Sequence, residues 1–328
     1  MMRLKYLYDN RNLAEMVLKN WDYDQSKLGL LDYYRISANA VYPFELNNVR
    51  YFLRFSPTEE RSTEIIQAEL EFLRYLRTEG YPAVDTLLSR TGKELENVET
   101  PWGNYLAVVF KGVPGNSLNR LELTGTLITG YGQALGELHK LSRKYLPSQY
   151  KRISWREQLD WMDNVLAGYT DETAAKTEVQ ILRSFLAGLP VTAENYGLVH
   201  YDFETDNVFY NETDKRYHVI DFDDAIYHWF ALDIDQSIDS LIDDMPPDRQ
   251  IEAKKLFIQG YRSIIPIEES MLAIMPVFRR YVNLYGYIRI LRSSKDQWEN
   301  EPDWMVDLRK KLFTAMEKRR IEFGILIS

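Results

Sequence analysis

The sequence contains no cysteine and only four histidines. The absence of cysteine excludes disulfide bonds, thiolate nucleophiles and zinc sites with cysteine ligands, and it fits a reducing compartment. The histidines show no metal-binding spacing such as H-E-x-x-H, which makes a metal-dependent hydrolase a distant alternative.

Long apolar runs are also absent. No segment approaches the roughly 18 apolar residues that a membrane span requires, and the first ten residues lack the apolar core of a secretory signal, so we expect a cytoplasmic protein with no membrane contact. Acids outnumber bases by 49 to 40, giving a net charge of −9, and no run of Lys or Arg stands out. Nucleic acid is therefore not an expected partner, whereas a cationic substrate would suit the charge.

Repeats and low-complexity tracts are missing too, which excludes solenoids and propellers. With 328 residues, 45% of them hydrophobic, the chain is long enough for two lobes that share a cleft. Oligomeric state cannot be predicted from the sequence.

The first third of the chain has antiparallel strand signals. Alternation across 49–55, after the turn Asn47-Asn48, predicts a hairpin with 40–46. The run Ser56-Pro57-Thr58-Glu59-Glu60 predicts a helix start, and Gly80 predicts its end. A further strand is expected over 105–110.

A cluster of chain breakers at 111–116 follows that strand. Beyond it, long amphipathic patterns predict helices over 121–141, 155–166 and 173–186, and strand signals return only near 198–221. We therefore predict an α+β fold in which residues 1–111 form a small sheet-containing lobe with one important helix. Residues 112–328 are predicted to form a larger, mainly helical lobe, with a ligand cleft between the two.

The most informative stretch has the form H-x-D-x-x-x-x-N followed by D-F-D, and its polar members are Asp202, Asn207, Asp221 and Asp223. Phosphoryl transfer needs a group that orients a hydroxyl and accepts its proton, together with oxygen ligands for a divalent metal. Asp202 has the first chemistry, and Asn207 and Asp221 have the second, with Asp223 as an additional ligand. The flanking strand signals place the acids at one end of a hairpin, which makes a chance match a poor explanation.

A second pattern pairs a cation on a strand with an acid on the following helix, Arg54 and Glu69. Glu69 lies in the middle of the apolar face of the predicted helix, whereas Glu71 lies on the opposite side and is expected to be solvated. An acid on an apolar face needs a partner, and the predicted partner is Arg54. The alternative is that each residue makes an unrelated surface contact.

A phosphate-binding loop is weakly indicated. Residues 35–40 contain Ser37 and Asn39 but no glycine, and neither G-x-G-x-x-G nor a P-loop occurs. Both side chains can donate hydrogen bonds, and Asn tolerates unusual backbone angles. A plain hairpin turn explains this segment equally well.

Taken together, these residues resemble the aminoglycoside phosphotransferase and choline kinase superfamily, whose members have a protein-kinase-like fold and phosphorylate small molecules. Further points of likeness are Tyr51-Phe52-Leu53-Arg54 and Gly136-Glu137-Leu138-His139. The resemblance implies Mg²⁺, ATP or GTP as donor, adenine near a hinge containing Phe110 and Gly112, and an aminoglycoside, amino alcohol or sugar as acceptor. It also implies that Asp202 is the base and that Asn207 and Asp221 are metal ligands.

Three positions depart from the family pattern. Tyr201 stands where these enzymes often have glycine, Glu204 where many have histidine, and Arg54 where many have lysine. We treat Glu204 as a candidate substrate residue. Asp235 and Asp239 belong to an acidic stripe on a helix predicted over 231–244; they are further candidates for a cationic substrate, with a solvated helix face as the alternative.

Two other functions remain open at this point. A nucleotide-binding pseudokinase or regulatory module would explain the departures, although such a module has no need of Asp202. A protein kinase is disfavoured because no Ala-Pro-Glu follows Asp221 and because Asp223 replaces the usual glycine.

Overall fold

The structure is a computed structural model that describes residues 1–243 and 245–327, so Asp244, the predicted end of the acidic helix, and Ser328 lie outside it. Its strands are β1 Arg35–Ile36, β2 Ala40–Leu46, β3 Val49–Pro57, β4 Thr86–Leu87, β5 Leu95–Thr100, β6 Gly103–Lys111, β7 Asn116–Ser117, β8 Tyr196–Val199, β9 Val208–Asn211, β10 Arg216–Val219 and β11 Ile226–Trp229. Its α-helices are α1 Arg11–Leu18, α2 Thr63–Thr78, α3 Gly125–Ser142, α4 Trp155–Leu166, α5 Thr173–Ala187, α6 Ala231–Ile242, α7 Pro247–Arg262, α8 Glu269–Ala273, α9 Met275–Ser293 and α10 Asp303–Arg319, and short 3-10 helices cover Leu4–Tyr6, Gln25–Asp32 and Leu118–Arg120. None of the helices in this described part is long and apolar enough to cross a membrane.

The N-terminal sheet has six antiparallel strands in the order β1-β2-β3-β6-β4, with β5 also paired to β6. The predicted hairpin of β2 and β3 is confirmed, with Ala40 opposite Phe55 and Leu46 opposite Val49. Asn47 and Asn48 both have positive φ, 53° and 61°, as a two-residue turn matched to the strand twist requires.

The predicted start of α2 was wrong. Ser56 and Pro57 continue β3 and pair with Leu106 and Tyr105 of β6. The helix begins only after Ser62, whose side chain accepts a hydrogen bond from the amide of Ile65 and caps the first turn. Its predicted end is confirmed, because Gly80 follows at φ 82°.

The second part of the chain is mainly helical, as predicted, with two small sheets near the cleft. One sheet pairs β8 with β11, and the other has the order β10-β9-β7. The connection from β8 to β9 carries Asp202 and Asn207, and the connection from β10 to β11 carries Asp221 and Asp223. Both acid-bearing segments therefore leave strand ends on the same side of the small sheets.

Two hydrophobic cores hold the lobes. A smaller core packs α1 against one face of the N-terminal sheet. A larger core contains α2, the helices of the second lobe and the opposite face of β6. The two-lobed α+β architecture is confirmed; β6 ends at the proposed boundary after residue 111, but the larger core extends across that boundary.

Candidate active site

A cleft of about 1080 Å³ lies between the N-terminal sheet and the helical lobe. It brings together eleven of the thirteen residues that the sequence indicates: Ser37, Asn39, Arg54, Glu69, Phe110, Gly112, Asp202, Glu204, Asn207, Asp221 and Asp223. The structure thus gathers residues from both lobes around one space.

The segment that carries Asp202 is held by a polar stripe on α6. Four α6 side chains at positions i, i+3, i+4 and i+7 bind its backbone instead of facing solvent. Asp233 accepts hydrogen bonds from the His200 amide at Oδ2 (2.7 Å) and from the Tyr201 amide at Oδ1 (2.8 Å). Gln236 donates to the Tyr201 carbonyl, and Ser237 Oγ donates to the Phe203 carbonyl at 2.9 Å. Ser240 Oγ accepts from the Thr205 amide at 3.0 Å. The helix therefore fixes the backbone on both sides of Asp202.

Tyr201 and Asp221 adopt left-handed backbone conformations, with φ of 74° and 62°. This region is costly for a bulky side chain, and glycine adopts it freely. The conformation explains why glycine suits the position of Tyr201 in the family. In this chain, the contacts from Asp233 and Gln236 hold the strained backbone.

Asp202 and Asn207 are joined across their loop. The Asn207 amide nitrogen donates to the backbone carbonyl and to Oδ2 of Asp202, both at 3.0 Å, so its amide oxygen is not used in these contacts. Burial, followed by the charges of Glu204 and Asp221, raises the pKa of Asp202 well above its ordinary value.

Asp221 opens onto the cleft but is surrounded by protein and by other acids. Burial and then Asp223 raise its pKa to about 6, with Arg54 acting in the opposite direction. Asp202 and Asp221 therefore share a region with an excess of negative charge.

The predicted ion pair of Arg54 and Glu69 is confirmed. The guanidinium makes two hydrogen bonds to the carboxylate, at 2.9 and 2.6 Å, and both side chains are buried. Arg54 also lies over the ring of Phe110, 4.7 Å from its centroid. Glu71, expected to be solvated, instead accepts hydrogen bonds from the backbone amides of residues 148–150.

Asp223 differs sharply from Asp221. Its carboxylate accepts a hydrogen bond from Asn39 at 3.0 Å and pairs with Arg61. Burial opposes ionisation, but Arg61, Arg54 and Arg152 outweigh it and hold the pKa of Asp223 below its ordinary value. This carboxylate is therefore already neutralised by arginines, which disfavours the expected role as an additional metal ligand.

Asp235 and Asp239 do not line the cleft within the described residues. Both pair with Arg279 of α9, with Asp235 in a two-point contact at 2.9 and 3.0 Å. These acids connect α6 to α9, which disfavours the expected role of both in a substrate site.

His139 is a structural residue, as its isolated position on a helix indicates. It is fully buried and connects Asp233, at 3.0 Å, with the hydroxyl of Tyr261, at 2.9 Å. Sequence reasoning missed Asp233, although the polar spacing of the α6 stripe was a readable signal. Arg61 and Arg152 had no such signal, because they meet Asp223 only through the tertiary fold.

Comparison with known proteins identifies the family. The description "Phosphotransferase enzyme family" matches residues 36–271, most of the chain, so the chain belongs to this family. It is a phosphotransferase that uses an alcohol group as acceptor, a small-molecule kinase.

Individual relatives are similar over nearly the whole length. An amicoumacin kinase of Bacillus subtilis (strain 168) is 27% identical over 305 residues, 89% of each chain. Among solved structures, an amicoumacin kinase in complex with AMP-PNP, Ca²⁺ and Ami has a TM-score of 0.75 at 23% identity, covering 96% of this chain and 95% of that one. A microcompartment-associated aminopropanol kinase has a TM-score of 0.71 at 21% identity, covering 95% of each. These likenesses confirm the protein-kinase-like fold.

The donor chemistry of the cleft fits a divalent metal. No three His, Asp or Glu side chains within residues 1–243 and 245–327 enclose a metal by themselves. Asp221 and Asn207 nonetheless both line the cleft, and their carboxylate and amide oxygens are hard donors of the kind that Mg²⁺ accepts. Mg²⁺ in kinases takes few protein ligands and several phosphate oxygens. Burial and then the charge of Asp223 raise the pKa of Asp221, and a bound cation would favour the ionised carboxylate.

Proposed function

We propose that this chain transfers the terminal phosphoryl group of ATP or GTP, with Mg²⁺, to a hydroxyl of a small amine-bearing acceptor. The observation that carries the proposal is the Asp202 carboxylate, held by Asn207 at 3.0 Å, in the same cleft as Asp221. A similar structure was solved with AMP-PNP and Ca²⁺, and another is an aminopropanol kinase. The first supports a nucleotide donor and a divalent metal, and the second supports an amino alcohol as acceptor.

Asp202 is the proposed proton acceptor for the acceptor hydroxyl. Its contact with Asn207 and the α6 stripe keep the carboxylate at one position, so the hydroxyl is oriented before transfer. The raised pKa of Asp202 suits a group that takes a proton during the reaction. Asn207 and Asp221 are the proposed metal ligands, and Mg²⁺ when bound neutralises charge on the phosphates.

The sheet side of the cleft is the proposed nucleotide site. Arg54, oriented by Glu69, carries the positive charge for the phosphates, and the turn containing Ser37 and Asn39 offers backbone and side-chain donors. Phe110 and Gly112 would flank the base at the hinge between residues 1–111 and 112–328, which we propose as the two lobes. Asp223 is assigned a positioning role, since it connects Asn39 with Arg61.

The acceptor side carries negative charge. Burial and then Asp206 raise the pKa of Glu204, so an added positive charge next to this carboxylate is favourable. An amine-bearing alcohol meets that requirement, and a neutral sugar does not.

A turnover screen tests the proposal. The protein is incubated with ATP or GTP, Mg²⁺ and a panel of aminoglycosides, amino alcohols and sugars, and nucleotide binding is measured separately by calorimetry. We expect acceptor-dependent turnover that falls about 10²-fold to 10⁴-fold in Asp202→Asn, with nucleotide binding retained. Glu212→Gln, an exposed acid on the β9–β10 turn, is the matched control and should behave as wild type. Nucleotide binding without turnover of any acceptor would favour a regulatory module.

A further inference from the structure

Arg319, near the end of α10, lies in the acceptor side of the cleft together with Glu204 and Gly286. Its contact in the described structure is a hydrogen bond of 3.3 Å from Nη1 to Oδ1 of Asn283, and no described carboxylate lies within ion-pair distance of it. Arg289, which lines the same cleft, is by contrast paired with Asp224 at 2.6 Å and stacked on Tyr285. Arg319 is therefore a cation with no ion-pair partner among the described residues, in the lining of the cleft.

A glycine on the neighbouring helix makes room for this side chain. A Cβ atom on Gly286 of α9 would lie 2.7 Å from Nη1 and 2.8 Å from Cζ of Arg319, closer than van der Waals contact allows. The guanidinium thus lies flat against the backbone of α9, and any larger residue at 286 would displace it. The position of Arg319 is consequently set by the packing of two helices.

Arg319 acts on the acceptor end of the cleft and not on the nucleotide end. It lowers the pKa of Glu204, against the larger effects of burial and Asp206. The cation that lowers the pKa of Asp221 is instead Arg54. Arg319 and Glu204 both line the cleft and affect each other electrostatically, but no ion pair joins them among the described residues. Both charges are therefore available to one small molecule in the cleft.

We propose that Arg319 is a specificity-determining residue that binds a carboxylate of the acceptor. The preferred acceptor is then a zwitterionic amino alcohol: one hydroxyl for Asp202, one ammonium group for Glu204 and one carboxylate for the Arg319 guanidinium. Guanidinium and carboxylate match in a two-point, charge-assisted geometry, which makes arginine the suited residue for this task. This inference rests on the proposed function and narrows its acceptor class.

Matched acceptor pairs that differ only in the carboxylate test the inference. The pairs are L-homoserine with 3-amino-1-propanol, L-threonine with 1-amino-2-propanol, and L-serine with ethanolamine. We expect kcat/KM to be at least about tenfold higher for the carboxylated member of the preferred pair, as a single charged hydrogen bond of about 1.4 kcal/mol gives. Arg319→Gln should abolish that ratio by lowering kcat/KM for the carboxylated member much more than for the amino alcohol, with KM for ATP unchanged.

Two further variants separate recognition from a structural role. Gly286→Ala, which only displaces the flexible guanidinium, should lower the ratio in the same direction, and Arg319→Lys should keep part of it. Arg320→Gln, the next residue, exposed and paired with Glu317, should leave the ratio unchanged. If Arg319→Gln lowers kcat/KM equally for both members of a pair, Arg319 has only a structural role and the inference is overturned.

The outcomes also distinguish this inference from the proposed function. Turnover of amino alcohols with no advantage for the carboxylated partner overturns the role of Arg319 and leaves the kinase assignment intact. Turnover of none of the six compounds, by protein that phosphorylates a larger amine, likewise overturns the zwitterionic acceptor. If no nucleotide binds, both the role of Arg319 and the proposed kinase function are overturned.

Discussion

Two carboxylates only two residues apart have opposite electrostatic surroundings. Asp223 faces Asn39 and arginines, and its pKa is lowered, whereas Asp221 faces the cleft among other acids, and its pKa is raised to about 6. Charge balance therefore favours Asp221 over Asp223 as the ligand of a cation. The difference arises from the partners that each side chain meets, since the residue types are the same.

Replacing Asp221 should reveal this imbalance in the pH dependence of stability. Because its folded pKa of about 6 lies above the unfolded value near 3.8, the protonated form favours folding below about pH 4, and this stabilisation is lost as the pH rises through 6. Asp221→Asn, which also tolerates positive φ, should raise the melting temperature at pH 7 without metal and match wild type at pH 4. Scanning calorimetry at both pH values measures this.

The same variant should lose the response to Mg²⁺. Wild type should bind the Mg²⁺ nucleotide more tightly as the pH rises from 5 to 7, because the metal requires the ionised carboxylate. Asp221→Asn should bind weakly at every pH in this range. An unchanged affinity in the variant would remove Asp221 from the metal site.

Arg54→Lys tests whether the departure from the family lysine is tolerated. Lysine keeps the charge but cannot repeat the two-point contact with Glu69, so we expect KM for ATP to rise about tenfold, a loss near 1.4 kcal/mol. Arg90→Lys, an exposed arginine of the same lobe that pairs with Asp22 and is not among the described residues lining the cleft, is the control and should be neutral. Steady-state kinetics with varied ATP measures the effect, and an unchanged KM would exclude Arg54 from nucleotide binding.

At the scale of residues, sequence patterns predicted contacts within neighbouring elements but not across the fold. The pair of Arg54 and Glu69 followed from one strand and the next helix, because an acid on an apolar face requires a counter-charge. The partner of Asp223 is Arg61, 162 positions away, and no local periodicity relates the two.

Helix α6 connects the core to the loop of Asp202, and its register decides which acids have a function. The stripe of Asp235 and Asp239 attracts attention in the sequence, yet these residues pair with α9. Asp233, in contrast, is fully buried. It accepts hydrogen bonds from two backbone amides and forms a further one with His139. Positions 233 and 235 point about 160° apart around the helix axis. The two acids therefore face nearly opposite sides of α6 and have different partners.

Asp233→Asn should damage both stability and turnover. The Asn amide can accept a hydrogen bond at only one atom and would point its NH₂ group at a backbone donor, which should lower the free energy of unfolding by about 3 kcal/mol. Displacement of Asp202 should lower kcat about 10²-fold. Asp239→Asn, exposed on the same helix, should change stability by about 0.5 kcal/mol or less. Urea unfolding and kcat measurements provide the comparison; a stable Asp233→Asn variant with normal kcat would contradict the role of α6.

At the scale of elements, turn chemistry was predictable and helix starts were less so. Asn47-Asn48 fixed the β2–β3 hairpin because few residues accept positive φ twice in succession. The start of α2 was misplaced because Pro57 suits the first turn of a helix and the end of a strand alike. Ser56 and Pro57 belong to the strand because both residues pair with β6.

The whole molecule is connected through β6, which contributes to both cores. Ala107 and Val109 point into the core under α1, whereas Leu106 and Val108 point into the larger core, because successive side chains of a strand face opposite sides. The sequence predicted two lobes from the change in pattern at 111–116. It did not reveal that the lobes share a core, since burial across a boundary depends on tertiary packing.

A shared core predicts that the two lobes unfold together. Phe72 of α2 is fully buried and packs against Phe222 of the second lobe, with ring centroids 6.0 Å apart. Phe72→Ala should destabilise the protein by about 3 to 5 kcal/mol and should accelerate amide exchange in β2, β3 and α3 to the same degree. Phe313→Ala, 64% exposed, is the control and should change neither.

Fragments provide the complementary measurement. Residues 1–111 alone would expose the face of α2 and β6 that the larger core covers, so we expect the fragment to show no cooperative unfolding transition. The full chain should show one transition in urea, with circular dichroism and tryptophan fluorescence coincident. Two separate transitions, with Phe72→Ala shifting only one, would mean that the lobes are independent domains and that the ends of the cleft are positioned by the linker instead of the core.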